Sequence, residues 1–175
     1  MTYSIVARCP RTAQLGVAIA TAVPAVGALA PFASSKGAIA SQAFVNPYLG
    51  LDGLHLLDQG QDAQTALDAL IAADPGRDTR QLAIIDAQGR VAQFSGVACN
   101  GWFGQKAGAS FGCQGNLLTG PEVVDAMAVA MEASVAEPLE ERLIAALVAG
   151  QAAGGDRRGR SFSPLLGRCR RGITR

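Results

Sequence analysis

Few residues in this chain could do chemistry, and the first of them stands second. Threonine is small enough that Met1 is normally removed before it, which makes Thr2 the first residue of the mature chain. Its hydroxyl is then a candidate nucleophile and its own α-amine the base, because a free α-amine titrates at about 7.7–8.0 and is partly neutral near physiological pH. Such a pair needs no histidine. The chain has one, His55, in a helical stretch between Leu54 and Leu56, where it reads as a packed or surface residue. A single histidine so placed argues against a serine or cysteine triad. The four cysteines, Cys9, Cys99, Cys113 and Cys169, show no CxxC or other metal-ligand spacing. They read as free thiols of a reducing compartment, and Cys113 as a small core residue on an apolar strand. No GxSxG elbow, Walker-type phosphate loop or HExxH pair occurs, so the matching chemistries have no support. A Met-Thr start opens many non-catalytic chains, so Thr2 alone is weak.

Composition bounds what must position such a residue. With 175 residues, 49% hydrophobic and 17% charged, the chain reads as one globular domain with a real core. Aromatics are only 5%, which favours close-packed backbone layers over a core of large rings. The longest apolar run, Leu15 to Phe32, is broken by Gly16, Thr21, Pro24, Gly27 and Pro31, so no membrane span is expected. The opening residues already read as a strand and not as a signal peptide, making the cytoplasm the default address.

Strands are expected over residues 3–8, 15–21 and 37–44, the last ending at the turn signal Asn46-Pro47. Leu51, Leu54 and Leu57 mark one helix; Ala66, Leu67, Leu70 and Ile71 mark a second, with Asp62 as its N-cap and Asp74-Pro75-Gly76 as its stop. A hairpin pairs 81–85 with 90–94, and another strand lies near 109–117. Two helices follow, one opening at Pro121 and one over 139–149. Strands, two helices, strands, two helices: this α+β order predicts two sheets between two helical layers, a four-layer αββα sandwich.

Several stretches in order carry a family resemblance. They are Thr2-Tyr3-Ser4-Ile5-Val6-Ala7-Arg8, Gly16-Val17-Ala18-Ile19-Ala20, Ala25-Val26-Gly27-Ala28, the run from Ala40 through Gln42 and Asn46 to Gly50, Ala73-Asp74-Pro75-Gly76-Arg77, Gln114-Gly115-Asn116 through Pro121, and Gly150 to Asp156. Over about residues 2–160 the chain resembles the DUF1028 family. The resemblance implies a fold of the N-terminal-nucleophile hydrolase type, with Thr2 opening the first strand. It implies an oxyanion hole of backbone amides around Gln42 to Asn46, with Gln114-Gly115-Asn116 closing over the nucleophile and Asp156 and Arg157 approaching from the last helix. Lys36 lies near the place where such folds often carry a basic residue, although the family does not typically have lysine there. The implied partner is a small amide or peptide-like substrate, with no metal or organic cofactor required. Each site residue also has a structural reading: Asn46 as a turn residue, Gly115 as a packing glycine, Asp156 as the mate of Arg90 or Arg157.

The end departs from the family. Up to Asp156 there are fourteen acidic and eight basic residues; after it come seven arginines and no acid. Residues 1–160 are read as the αββα domain and 161–175 as an atypical basic tail, from a shifted reading frame or a degraded gene end and not an evolved basic arm. Pro164 and the arginines are poor strand material, so a weakly packed tail and an exposed sheet edge open to self-association are expected. The acidic body argues against nucleic-acid binding. A non-catalytic binding or assembly protein retaining the fold is the alternative function.

Overall fold

Apolar residues alternate along the first two strands, and that alternation decides which layer each face meets. The structure, a computed structural model, describes residues 2–156, 158 and 165–168. Strands β1 (Thr2–Arg8) and β2 (Leu15–Thr21) form a hairpin, and β1 also pairs with β8 (Phe111–Leu118). With β7 (Trp102–Gly108) and β9 (Leu165–Arg168) they make a five-stranded antiparallel sheet in the order β7-β8-β1-β2-β9. The second sheet, also antiparallel, runs β3-β4-β5-β6 from β3 (Pro31–Ala33), β4 (Gly37–Ala43), β5 (Arg80–Asp86) and β6 (Val91–Ser95). Helices α1 (Pro47–Asp58) and α2 (Ala63–Ala73) follow β4, and α3 (Glu122–Ala133) and α4 (Leu139–Ala152) follow β8.

Three apolar cores separate these layers. Tyr3, Ile5 and Ala7 pack with Met127, Met131, Leu143 and Leu147 of α3 and α4. Val6, Val17 and Ile19 turn the other way and meet Ala38, Ala40, Ala83 and Ile85 of the second sheet. Ile39, Leu82 and Ile84 then face Leu57, Leu67 and Leu70 of α1 and α2. The protein is thus α+β, with two antiparallel sheets back to back and a helix pair on each outer face. Among the described residues, no helix is long and apolar enough to cross a membrane.

Local signals worked where predicted. Asp62 caps α2 by accepting from the Thr65 N–H at 2.8 Å, and Asn46, read as a turn, caps α1 by accepting from the Tyr48 N–H at 3.1 Å. Two strands were missed. β3 has three residues and opens on Pro31, which an edge strand tolerates. β7 carries two glycines and no apolar alternation, and its pairing with β8 holds it in the sheet. Within the basic tail, residues 165–168 form β9 against β2, although a strand was not expected there. An edge position needs pairing on one side only, so four residues suffice. The rest of the expected tail, with Pro164 and Cys169, lies outside the described residues.

Candidate functional site

Thr2 and Ser4 lie on the face of β1 that carries Val6, so both side chains enter the space between the sheets. At this end the apolar lining gives way to polar groups: Thr2, Ser4, Thr21, Gln42, Gln81, Gln114 and Asn116 are all buried. Thr2 pairs in register with Thr21 on one side and Asn116 on the other. Its hydroxyl meets that of Thr21 at 3.1 Å. Gln42 of β4 spans the gap, its Nε2 donating to the Thr2 carbonyl at 3.2 Å and to Gln81 Oε1 at 2.7 Å.

Gln81 is the hub, and sequence reasoning missed it. Its Nε2 faces three acceptors, Gly115 O and Ser95 Oγ at 2.9 Å and Gly104 O at 3.2 Å. Its Oε1 also takes a bond from Asn116 Nδ2 at 3.1 Å. The signal was available: a glutamine at an inward position of an otherwise apolar strand, where a buried polar group demands partners. Asn116 uses one of its two amide hydrogens on Gln81 and sits opposite Thr2. Three buried atoms here have no partner, Ser4 Oγ, Gln42 Oε1 and Gln114 Oε1.

The other expected residues divide. Gly115 faces Tyr3 across the ladder, and a β-carbon there would lie 2.6 Å from Leu118 Cδ1 and 3.0 Å from Tyr3 Cβ. Close packing therefore requires glycine, whose carbonyl also serves Gln81. Asn46 has local work: its side chain caps α1 and its carbonyl accepts from Ser41 Oγ at 3.1 Å, and no hydrogen bond joins it to Thr2. Lys36 stands exposed in the turn before β4, at the opposite end of that strand from Gln42. Asp156 is buried and bridged to Leu118. Its carboxylate meets Arg158 and not Arg90, which instead pairs with Asp86 at 2.6 Å, while Arg157 lies outside the described residues. His55 is exposed on α1 and bonded to Gln59.

At the outer margin Arg80 Nε donates to Asp74 Oδ2 at 2.7 Å and Nη1 to the Phe44 carbonyl at 2.5 Å, with the guanidinium 5.5 Å from the Phe44 ring centre. The Arg80 bond holds the Asp74 carboxyl below the usual carboxylate range. Burial pushes the thiols of Cys99 and Cys113 upward, away from the thiolate form that attacks. Among the described residues, no group of three or more His, Cys, Asp or Glu could hold a metal ion. A groove of about 310 Å³, lined by Leu67, Ile71, Arg77 and Phe94, lies between α2 and β6. It shares none of Thr2's bonded partners.

Two sheets back to back, clad in helices and closed at one end by amide side chains around a buried strand-opening threonine, define the class of protein. The profile of the DUF1028 family, described as a family of unknown function, matches residues 2–166, and the chain belongs to that family. It is similar to the crystal structure of protein SPO2555 from Silicibacter pomeroyi, of the same family, with a TM-score of 0.90 and 34% identity over 96% of this chain and 73% of that one. No curated protein matches it.

Proposed function

We propose that this protein is a hydrolase of the N-terminal-nucleophile type, cleaving a small amide or peptide-like bond with Thr2 as nucleophile. The observation that carries the reading is the company Thr2 keeps: among the described residues its hydroxyl is bonded to Thr21, with no imidazole, carboxylate or lysine on it, so the α-amine is the base at hand. In the first step Oγ1 attacks the carbonyl carbon while the amine takes the hydroxyl proton. The C–N bond then breaks, the leaving nitrogen receives that proton, and an ester to Thr2 remains. Water, deprotonated by the same amine, releases the acid. The spare Asn116 N–H, opposite Thr2, is suited to hold the oxyanion. The back-to-back sheets with outer helix pairs are also the arrangement that this class of fold requires.

The test is a panel of amides, lactams and short peptides, with intact-mass measurement to establish loss of Met1. Thr2→Ala is expected to abolish turnover, Thr2→Ser to keep part of it, and Asn116→Ala to slow it about 100-fold. An active protein whose Thr2→Ala variant works as well as the parent ends this reading. One observation favours a second: Thr2 is only 6% exposed, as suits a structural threonine in a binding or assembly protein. On that reading the whole panel is inert and Thr2→Ala alters stability alone.

A further inference from the structure

The ladder beside Thr2 is bulged at a telling place. On β7, the consecutive residues Phe103 and Trp102 face Asn116 and Leu118, with a register shift between them. Leu117, at φ 55°, is the extra residue. Leu118 is therefore one ladder step beyond Asn116, not two. Since Asn116 faces Thr2, the position opposite Leu118 on the β1 side is the one directly ahead of Thr2. Trp102 holds the β7 side of Leu118; the other side is taken by Asp156, in an antiparallel bridge that the Thr119 N–H to Gly155 carbonyl bond supports. One residue step along a strand is about 3.4 Å, which sets Asp156 at the ladder position next to Thr2 on the side of its nitrogen.

The Asp156 side chain is 2% exposed. Oδ1 accepts from the Arg158 N–H at 2.6 Å and lies 3.5 Å from Arg158 Nε, while Oδ2 is buried with no partner. A buried carboxylate oxygen without a donor is costly. The groups bonded to Thr2 from β2 and β4, and the residue facing it on β8, are Thr21, Gln42 and Asn116, all uncharged. Among the described residues, Asp156 and its partner Arg158 supply the charge at this position. We propose that Asp156 is the counter-ion of the Thr2 α-ammonium group in the mature chain, Oδ2 accepting its N–H and setting the direction of the amine. This rests on the proposed reading only in needing Thr2 as the mature first residue; hydrolysis is not required. Asp156 acts here as a positioning residue.

The test is the midpoint of α-amine titration in the purified protein, read by mass spectrometry from the pH dependence of N-terminal acetylation. A carboxylate contact holds the amine protonated to higher pH, so Asp156→Asn is expected to lower the midpoint by about 1 pH unit or more. Asp156→Glu, which keeps the charge, is expected to stay near the parent. An Asn variant with the parent's midpoint overturns the proposal. Should that variant not fold, the parent decides: a buried amine without a counter-ion titrates below the ordinary range of about 7.7–8.0, and that result is equally fatal. Retained Met1 defeats both this inference and the hydrolase reading. A shifted midpoint in a protein inert on every amide defeats the hydrolase reading and leaves the counter-ion standing.

Discussion

The space between the two sheets holds two regions built from the same strands. Toward one end Val6, Leu15, Val17, Ile19, Ala38, Ala40, Ala83 and Ile85 close on one another with no polar atom to satisfy. Toward the other, two or four residues along the same strand faces, Thr2, Thr21, Gln42 and Gln81 are equally buried but held by hydrogen bonds. The first region gains from every apolar atom removed from water. The second breaks roughly even on its paired groups and loses on the three unpaired ones, since net gains near 1 kcal/mol per bond are offset by about 1–3 kcal/mol for each buried orphan. A protein that keeps a region of this kind next to an efficient apolar core keeps it for something other than stability. That is the physical support for placing function there.

The contrast can be broken by substitution. The largest effect is expected from Ile19→Ala, which opens a cavity in the apolar end and should cost about 3 kcal/mol in urea unfolding. Gln81→Leu is next, at about 2 kcal/mol: it strands the Gly104 and Gly115 carbonyls and frees the amides of Gln42 and Asn116. A loss larger than that of Ile19→Ala would make the polar end the true structural core. At the margin, Asp74→Asn should cost about 1–2 kcal/mol through the weakened bond to Arg80. The Asp74 carboxyl is depressed in the fold, so its contribution is fully present above about pH 3.9, its unfolded value, and is lost as pH falls through the lower folded value. The variant's acid unfolding should lack that component. Smallest is Ser4→Ala, which deletes a hydroxyl that has no partner. It should be neutral or stabilising by up to about 1 kcal/mol, and clear destabilisation would show that the hydroxyl is engaged in solution.

Much of the fold could be read from local pattern, because the short Val-, Ile- and Ala-rich run of residues 15–21 and the stripe Leu67, Leu70, Ile71 depend on near neighbours in the chain. So did the stop at Asp74 and the cap at Asp62. β7 could not be read this way: residues 102–108 have no periodicity, and only β8 makes them a strand. The site divides along the same line. Thr2, Asn116 and Asp156 were singled out as candidates from residue type and family pattern. Gln81 and Thr21 were passed over, because a single polar residue in an apolar strand does not say what it will meet.

The sequence by itself determined the order of the four helices and of six strands, the burial of the β1–β2 hairpin and the candidacy of Thr2, since each follows from short-range spacing and residue chemistry. Only the tertiary structure decided that Gln42 and Gln81, thirty-nine residues apart, close over Thr2 while Asn46 turns to its own helix. It also decided that Lys36 lies at the far end of β4 and that Asp156 bridges Leu118, close to the Asn116 that faces Thr2. Those outcomes depend on register between distant strands, and a one-residue shift in register sends every side chain to the opposite face.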